Sequence, residues 1–461
     1  MGDSQIQTEA DQLPPAQIPL LNSNSVQNDT AQTRQQQRRR QGQEIRASDD
    51  LDDCLEKLES FLSFLGFNQS SWLSCSLSWA AFSVVGVLVP VLVLELSKCD
   101  RCEMYQIKNF ELDIVASQAC LAAVSLFCIA FNLRKYGVKR FLFVDRYSGQ
   151  MARFSDLYVK QIWGSMRLLI WWVLPCFLLK TAREIIRVLY VHRDSWWISV
   201  AILFALILSW TYVSTISLSA SILFHLLCNL QVIHFEDYAK LLERESDVLV
   251  FIEEHIRLRH HLSKISHRFR MFLLSQFLVV TASQFITLFQ TTGYRGMINF
   301  INGGDFAVSS IVQVVGIIIC LHAATKISHR AQGIASLASR WHAVATCTST
   351  DATLRGSNSA GNMEAFNQSN NQTNSIHLCF SESDLESVDY AASAIPTNTQ
   401  LASYMTSYHR RQAFVMYLQG NPGGITIFGW TVDRGLINTI FFIQLTLITF
   451  VLGKTIVFSS P

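Results

Sequence analysis

The residues whose spacing suggests a function lie in the last apolar segment, residues 435–458. Side chains at alternating steps of four and three share one helix face, and most are small or carry a hydroxyl group: Gly435, Thr439, Phe442, Thr446, Thr449 and Gly453. Such a face either permits close helix packing in lipid or lines a water-filled path, and the sequence leaves both interpretations open. Gln444 and Lys454 point to other faces, and Lys454 lies near one end, where it snorkels to the headgroups or faces water.

Composition assigns the chain to the polytopic membrane proteins. Half of its 461 residues are hydrophobic and only 16% are charged, which is too apolar for a soluble domain of this size. An apolar run of about 20 residues is long enough to cross a bilayer. We therefore predict an all-α fold with seven transmembrane helices, at residues 72–94, 114–133, 162–179, 197–218, 271–288, 306–324 and 435–458. Arg167, Pro175 and Lys180 interrupt or flank the third of these segments.

Basic residues orient the predicted helices. If the N-terminus is cytosolic, most of the 37 Lys and Arg residues fall in cytosolic segments, where such residues are retained. The loop between the second and third helices is the strongest case, with Arg134, Lys135, Lys139, Arg140, Arg146, Arg153 and Lys160. Seven crossings then place the C-terminus outside the cytosol. This orientation is the inverse of that in G-protein-coupled receptors.

Two cytosolic segments are predicted to be disordered. Residues 1–48 are rich in Gln, Asn, Ser and Arg, and residues 346–398 are rich in Ser, Asn, Thr and Gly. Between them, residues 50–345 form one region that holds the first six transmembrane helices. Residues 400–461 form the last region, which consists of a cytosolic helix and the seventh transmembrane helix.

Three cytosolic helices are also predicted. Leucines at helical spacing make residues 50–66 an amphipathic helix, which lies either on the membrane or against other helices. Residues 219–270 lack Pro and Gly and continue the fourth helix into the cytosol, where its apolar face needs a helical partner. Residues 400–418 form a helix that the Gly420–Gly424 cluster ends, because Pro422 lacks an N–H donor and glycine adopts left-handed backbone geometry.

No cluster of residues predicts catalysis or metal binding. The histidines of the 219–270 segment lack convergent Cys or carboxylate ligands, so we expect solvated or interface histidines (His234, His255, His260, His261 and His267). No segment gathers a nucleophile, a base and an orienting group, and we expect neither an enzyme nor a cofactor nor nucleic-acid binding. A transporter would require paired buried charges and internal repeats, and the sequence suggests neither.

This layout resembles a known group of receptors. A cytosolic N-terminus, a fourth helix that continues below the membrane, a cytosolic helix before the last span and a Gly-x-x-x-Asp-Arg sequence from Gly429 to Arg434 are similar to insect gustatory and odorant receptors. Residues 50–461 resemble more closely the plant gustatory-receptor-like family, which carries a domain of unknown function.

The resemblance implies a homotetramer that opens a pore in response to a small ligand. In the insect family, cytosolic helices anchor the subunits to one another, and the seventh helices line a central cation pore. Carried over, the pore-lining candidates are Thr439, Phe442, Thr446, Thr449, Gly453 and Lys454, and the anchor candidates are Leu241, Val248, Ile252, Ile256, Tyr408 and Phe414. The last helix lacks the Gln-Phe pair of the insect sequences, and four Lys454 ammonium groups facing the axis would oppose cation flow.

Two functions therefore remain open on the sequence. The first is a chemoreceptor-like, homotetrameric ligand-gated ion channel that binds an unknown small ligand. The second is a non-conducting membrane scaffold or growth regulator that acts through its cytosolic segments. In both cases we expect a multi-pass protein in contact with membrane lipid, in the plasma membrane rather than in an endomembrane.

Overall fold

A computed structural model describes residues 49–96, 108–143, 151–190, 196–242, 247–293, 300–356 and 407–457. The predicted disordered tail lies outside these residues, as does the part of the predicted disordered loop (residues 346–398) that follows Gly356. The prediction of disorder was wrong for residues 346–356, which continue the helix that begins at Phe300. The described elements are α1 (residues 49–64), α2 (Trp72–Ala81), a π-helical segment (Phe82–Leu88), α3 (Val89–Leu96), α4 (Lys108–Leu142), α5 (Met151–Tyr190), α6 (Trp196–Leu242), α7 (Val248–Gly293), α8 (Phe300–Gly356), α9 (Ser407–Gly420), β1 (Thr426–Ile427), β2 (Trp430–Thr431) and α10 (Arg434–Val457).

Six helical stretches within the described residues are long and apolar enough to cross a membrane. They are Trp72–Glu95, Glu111–Leu142, Phe154–Leu189, Trp196–Leu242, Val248–Gln290 and Gly304–Val344. A shorter apolar stretch, Arg434–Phe450, lies in α10. These stretches contain the first six predicted spans, and α5 continues through Pro175 without a break in its helical assignment. The structure is therefore that of a mostly helical, multi-pass membrane protein.

The helix α1 packs against the other helices of the bundle. Four of its leucines, and Leu65 directly after it, are almost completely buried in the main hydrophobic core, together with residues of α4, α5, α6 and α7: Leu51, Leu55, Leu58 and Leu62. An ion pair of 2.7 Å between Asp52 and Lys139 also joins α1 to the end of α4. Of the two predicted positions for this amphipathic helix, packing against helices is the one observed.

The chain turns sharply between α1 and α2 at a glycine. Gly66 has a φ of +85°, and a Cβ atom at this position would lie 2.3 Å from the Ser78 hydroxyl oxygen. That hydroxyl donates a hydrogen bond of 2.8 Å to the carbonyl oxygen of Gly66. Only glycine satisfies both the left-handed backbone and the close approach of α2.

The sequence predicted that residues 219–270 continue the fourth helix, but the structure divides this segment between two helices: α6 ends at Leu242 and α7 begins at Val248. The end of α6 and the start of α7 pack against each other, so the apolar face of this segment is covered by a helix of the same chain. The Tyr238 hydroxyl donates a hydrogen bond of 2.9 Å to the carbonyl oxygen of Phe251. Tyr158 on α5 and His234 on α6 form a further buried contact of 3.0 Å between Oη and Nε2. The prediction of solvated or interface histidines was wrong for His234, His255 and His261, which are buried within the chain. His234 and His255 both pack among aromatic rings.

The connection between α9 and α10 contains the two strands of the described residues. Thr426 pairs with Thr431 and Ile427 with Trp430 in an antiparallel hairpin. The two turn residues, Phe428 and Gly429, have φ values of 50° and 87°, as a type I′ turn requires. The sequence did not predict this hairpin, because phenylalanine rarely adopts a positive φ.

Candidate functional site

The last helix, α10, attaches to the bundle through one face. Gln444 is 1% exposed, and its Nε2 atom donates a hydrogen bond of 3.0 Å to the Thr281 hydroxyl on α7. Leu436, Ile437 and Ile440 pack against the main core on the same side. The Asp433 carboxylate caps the start of α10 by accepting a 2.8 Å hydrogen bond from the Leu436 amide.

The pore-lining candidates lie on the opposite side of α10. The side chains of Thr439, Phe442, Thr446 and Thr449 are exposed, and Gly453 is half-buried. The backbone of Lys454 continues the helix, and its side chain lies outside the described residues. The structure thus collects four of the six candidates on a face that no other helix of the same chain covers among the described residues.

The anchor candidates divide into two groups. Leu241, Val248 and Ile252 are partly buried against the main core, and Ile256 is also half-buried. Phe414 on α9 is 0% exposed, and its ring stacks on Phe251 at a centroid distance of 5.7 Å. Phe414 therefore serves packing within one chain. The side chain of Tyr408 lies outside the described residues.

A buried histidine joins α7 to α9 in the same part of the bundle. The Nδ1 atom of His255 lies 3.4 Å from the Tyr417 hydroxyl, and the two rings meet edge to face. Burial, followed by the charge of Arg259, lowers the pKa of His255 to about 4. Burial also raises the pKa of Tyr417. Burial therefore keeps both groups in their neutral forms near pH 7.

The hairpin fixes the start of α10 relative to α7 and α8. The backbone amide of Ile425 donates a hydrogen bond of 3.0 Å to the Ser328 hydroxyl on α8. The amide of Thr426 donates one of 3.1 Å to the Ser266 hydroxyl on α7. A Cβ atom on Gly423 would lie 2.9 Å from the Cβ of Ala331, so the connector approaches α8 closely. Movement of α7 or α8 at Ser266 or Ser328 would therefore be transmitted to α10.

A buried ionic network lies at the opposite end of the bundle, where α5 ends and α4 and α8 begin. Its cations are Lys180, Arg183 and Arg187 on α5, and its anions are Glu111 on α4, Glu184 on α5 and Asp305 on α8. Each of these six residues is at most 9% exposed. The three positive and three negative charges balance, which is the condition under which buried charges are tolerated.

Two of the three carboxylates of the network, Glu111 and Glu184, contact more than one cation. Glu184 contacts the Lys180 ammonium at 3.0 Å and an Arg183 Nη atom at 2.5 Å. Glu111 accepts a hydrogen bond of 3.1 Å from Arg183 and forms an ion pair of 3.4 Å with Arg187. Asp305 pairs with Lys180. The network therefore ties the ends of α4, α5 and α8 to one another.

The sequence did not predict this network, and the expectation that the chain lacks paired buried charges was wrong. The available signal was four charges that share a face of α5 at steps of three, one and three, directly after an apolar stretch. Their partners Glu111 and Asp305 come from distant parts of the chain, so spacing alone did not pair them.

Further polar side chains continue from the network into the bundle. Gln290 on α7 donates a hydrogen bond to the Asp113 carboxylate on α4. Two further amide side chains donate hydrogen bonds to hydroxyl groups: Gln313 to Ser117 at 3.3 Å, and Gln284 to Ser310 at 3.1 Å. The buried Gln118 Nε2 and Ser309 Oγ atoms have no hydrogen-bond partner among the described residues. Native interiors leave few such atoms unpaired, so these two atoms are available to a water molecule or another polar group.

Cations stacked on aromatic rings mark the other end of the membrane-spanning part. Arg134 lies 4.7 Å above the Trp72 ring, Arg268 lies 3.8 Å above Tyr136, and Arg270 lies 5.4 Å above Phe428. Arginine and aromatic side chains of this kind are typical of a membrane–water interface. The charged ends of the bundle therefore differ, since one is an internal balanced network and the other is a basic, aromatic surface.

Comparison with known proteins agrees with this architecture. The insect olfactory receptor OR5 from Machilis hrabei, solved in complex with eugenol, is similar to this chain with a TM-score of 0.50 and 12% identity, over 87% of this chain and 98% of the receptor. At that identity the likeness shows the fold alone. No curated protein matches the sequence. The family described as "Protein of unknown function (DUF3537)" matches residues 53–443, which is most of the chain, and the protein therefore belongs to the DUF3537 family.

Proposed function

We propose that the protein is a receptor-like, homotetrameric ligand-gated channel in which α10 lines a central pore. The observation that carries the proposal is the two-sided character of α10. One side attaches to the bundle through Gln444, and the other leaves Thr446 and Thr449 without a covering helix. Hydroxyl groups exposed on an otherwise apolar helix are suited to a wet path that copies of the chain share.

The same proposal includes seven crossings with a cytosolic N-terminus. The basic, aromatic end that holds Arg134, Arg268 and Arg270 is then cytosolic, in keeping with the retention of Lys and Arg on that side. The helix α10 comprises 24 residues, or about 36 Å at a rise of 1.5 Å per residue, which is sufficient for a crossing. The ionic network then lies at the outer end.

The proposed ligand site is the polar interior below the ionic network. Gln118 and Ser309 supply an unpaired donor and an unpaired hydroxyl, and both are buried between α4 and α8. Olfactory receptor OR5 was solved in complex with eugenol, and the unpaired atoms of the present interior favour a ligand with at least one polar group. Binding there would shift α8, whose cytosolic half holds the hairpin through Ser328.

Purified full-length protein provides the test. The proposal predicts a particle of four chains in detergent and ligand-dependent current after reconstitution into a planar bilayer. Thr446→Ala and Thr449→Val variants alter single-channel conductance. Thr281→Ser, on α7 where Gln444 attaches, leaves the conductance unchanged. A stable monomer would refute the tetramer. A tetramer without current under a broad ligand panel would instead favour the non-conducting scaffold.

A further inference from the structure

The outward face of α5 carries cations that have no protein partner. Arg167 and Lys160 are both exposed, and neither forms an ion pair or hydrogen bond with any residue that the structure describes. The neighbouring side chains on this face are large, apolar and open to the lipid: Trp163, Ile170, Trp171 and Leu174 are 47%, 62%, 75% and 55% exposed. An unpaired arginine in such a stripe is costly unless the membrane supplies an anion.

The depth of Arg167 follows from charges on neighbouring helices. The apolar part of α4 runs from Glu111 to Arg134, and that of α8 runs from Asp305 to Lys326. Both intervals correspond to about 30–35 Å at 1.5 Å per residue, the thickness of a hydrocarbon core. Glu111 and Asp305 both pair with cations near the end of α5, so Arg183 lies at about the same depth as these two carboxylates. The same length, measured back along α5 from Arg183, ends near Lys160. Arg167 therefore lies about 10 Å inside the apolar layer.

The direction of α5 brings the Arg167 guanidinium back towards the headgroups. Side chains on a helix tilt towards its N-terminus, and the N-terminal end of α5 is the end where Lys160 lies. The residue between them on this face, Gly164, has no atom within 4 Å of the position that a Cβ would occupy. The two cations thus flank an open notch on the helix surface.

We propose that Lys160, Gly164 and Arg167 bind the headgroup phosphate of an anionic glycerophospholipid. Arg167 donates to the phosphate from the apolar side, and Lys160 donates to another oxygen of the same phosphodiester from the water side. The missing side chain at Gly164 lets the headgroup approach the helix. Trp163 and Trp171 lie beside the notch, where indole rings pack on the glycerol and acyl region of an interface lipid. This site is independent of the proposed channel activity, since it needs only a membrane-embedded α5.

Native mass spectrometry of the full-length protein tests the proposal. Protein in detergent is titrated with dioleoyl phosphatidylglycerol or with dioleoyl phosphatidylcholine, and retained lipid is counted per chain. The expected result is preferential retention of phosphatidylglycerol. Arg167→Gln and Lys160→Gln each weaken that retention about fivefold, the factor expected for loss of one basic residue near an anionic surface. Arg167→Lys retains most of the binding.

Two further variants separate a lipid site from general charge effects. Gly164→Leu keeps both cations and fills the notch, so it also lowers retention of phosphatidylglycerol. Arg340→Gln removes an equally exposed cation from the cytosolic part of α8 and leaves retention unchanged. Equal retention of the two lipids by the unmodified protein would overturn the proposal. Equal losses in the Arg167→Gln and Arg340→Gln variants would overturn it as well.

Discussion

Asp305→Asn is expected to destabilise the protein strongly, because it unbalances the buried ionic network. In the unmodified protein three cations face three carboxylates, and Asp305 is 4% exposed. The variant leaves Lys180, Arg183 and Arg187 to share Glu111 and Glu184, so one net positive charge stays buried. Removing one partner from a buried pair costs about 3–5 kcal/mol. The free energy of unfolding, measured by reversible denaturation in mixed micelles, should fall by that amount.

A double replacement and a surface control make this prediction specific. Lys180→Met with Asp305→Leu removes one charge of each sign and leaves two arginines facing two glutamates, so most of the lost stability should return. Asp53→Asn, which breaks an exposed pair of 2.7 Å with Lys57, should be indistinguishable from the unmodified protein. If Asp305→Asn behaves like Asp53→Asn, or if the double variant is no more stable than Asp305→Asn, the reasoning about charge balance is wrong.

Three further predictions concern local structure and orientation. Gly66→Ala should cost more stability than Gly137→Ala in thermal unfolding, because both glycines have positive φ but only the first would bring its Cβ into a clash, at 2.3 Å. For His255, the folded-state pKa of about 4 lies below the usual value of 6.5, so the unfolded state binds the extra proton. Stability should therefore decrease by about 3 kcal/mol as pH falls from 6.5 to 4, and the His255→Gln variant should lack this part of the pH dependence. Asn68 lies in an N-glycosylation acceptor sequence that the proposed orientation places in the cytosol, so it should remain unglycosylated in microsomes. An acceptor sequence inserted between α3 and α4 should be modified. Glycan on Asn68 would contradict the proposed orientation.

The sequence predicted those elements whose determinants are local. Apolar length located the first six spans, and leucine periodicity located α1, whose buried face is the one that the spacing indicated. The end of α9 at Gly420 follows from the Gly and Pro residues that come directly after it. In each case the residues that determine the element are contiguous, so a single sequence contains the whole signal.

The sequence did not predict features that depend on distant or atypical residues. The charges of α5 looked like interruptions of a span because Glu111 and Asp305, which neutralise them, lie on other helices. The hairpin before α10 was missed because Phe428 adopts a positive φ that its side chain disfavours. Burial of His234 was missed because its partner, Tyr158, belongs to another helix.

The most direct test of the proposed pore is the water accessibility of α10 in the assembled protein. Thr446→Cys and Ile440→Cys variants, reconstituted in liposomes, are treated with a charged thiol reagent, and labelling is located by peptide mass spectrometry. Thr446 lies on the exposed face and Ile440 packs against the core, so the account predicts rapid labelling at position 446 and none at position 440. Protection of both positions would place the exposed face of α10 against lipid or protein and would contradict the pore.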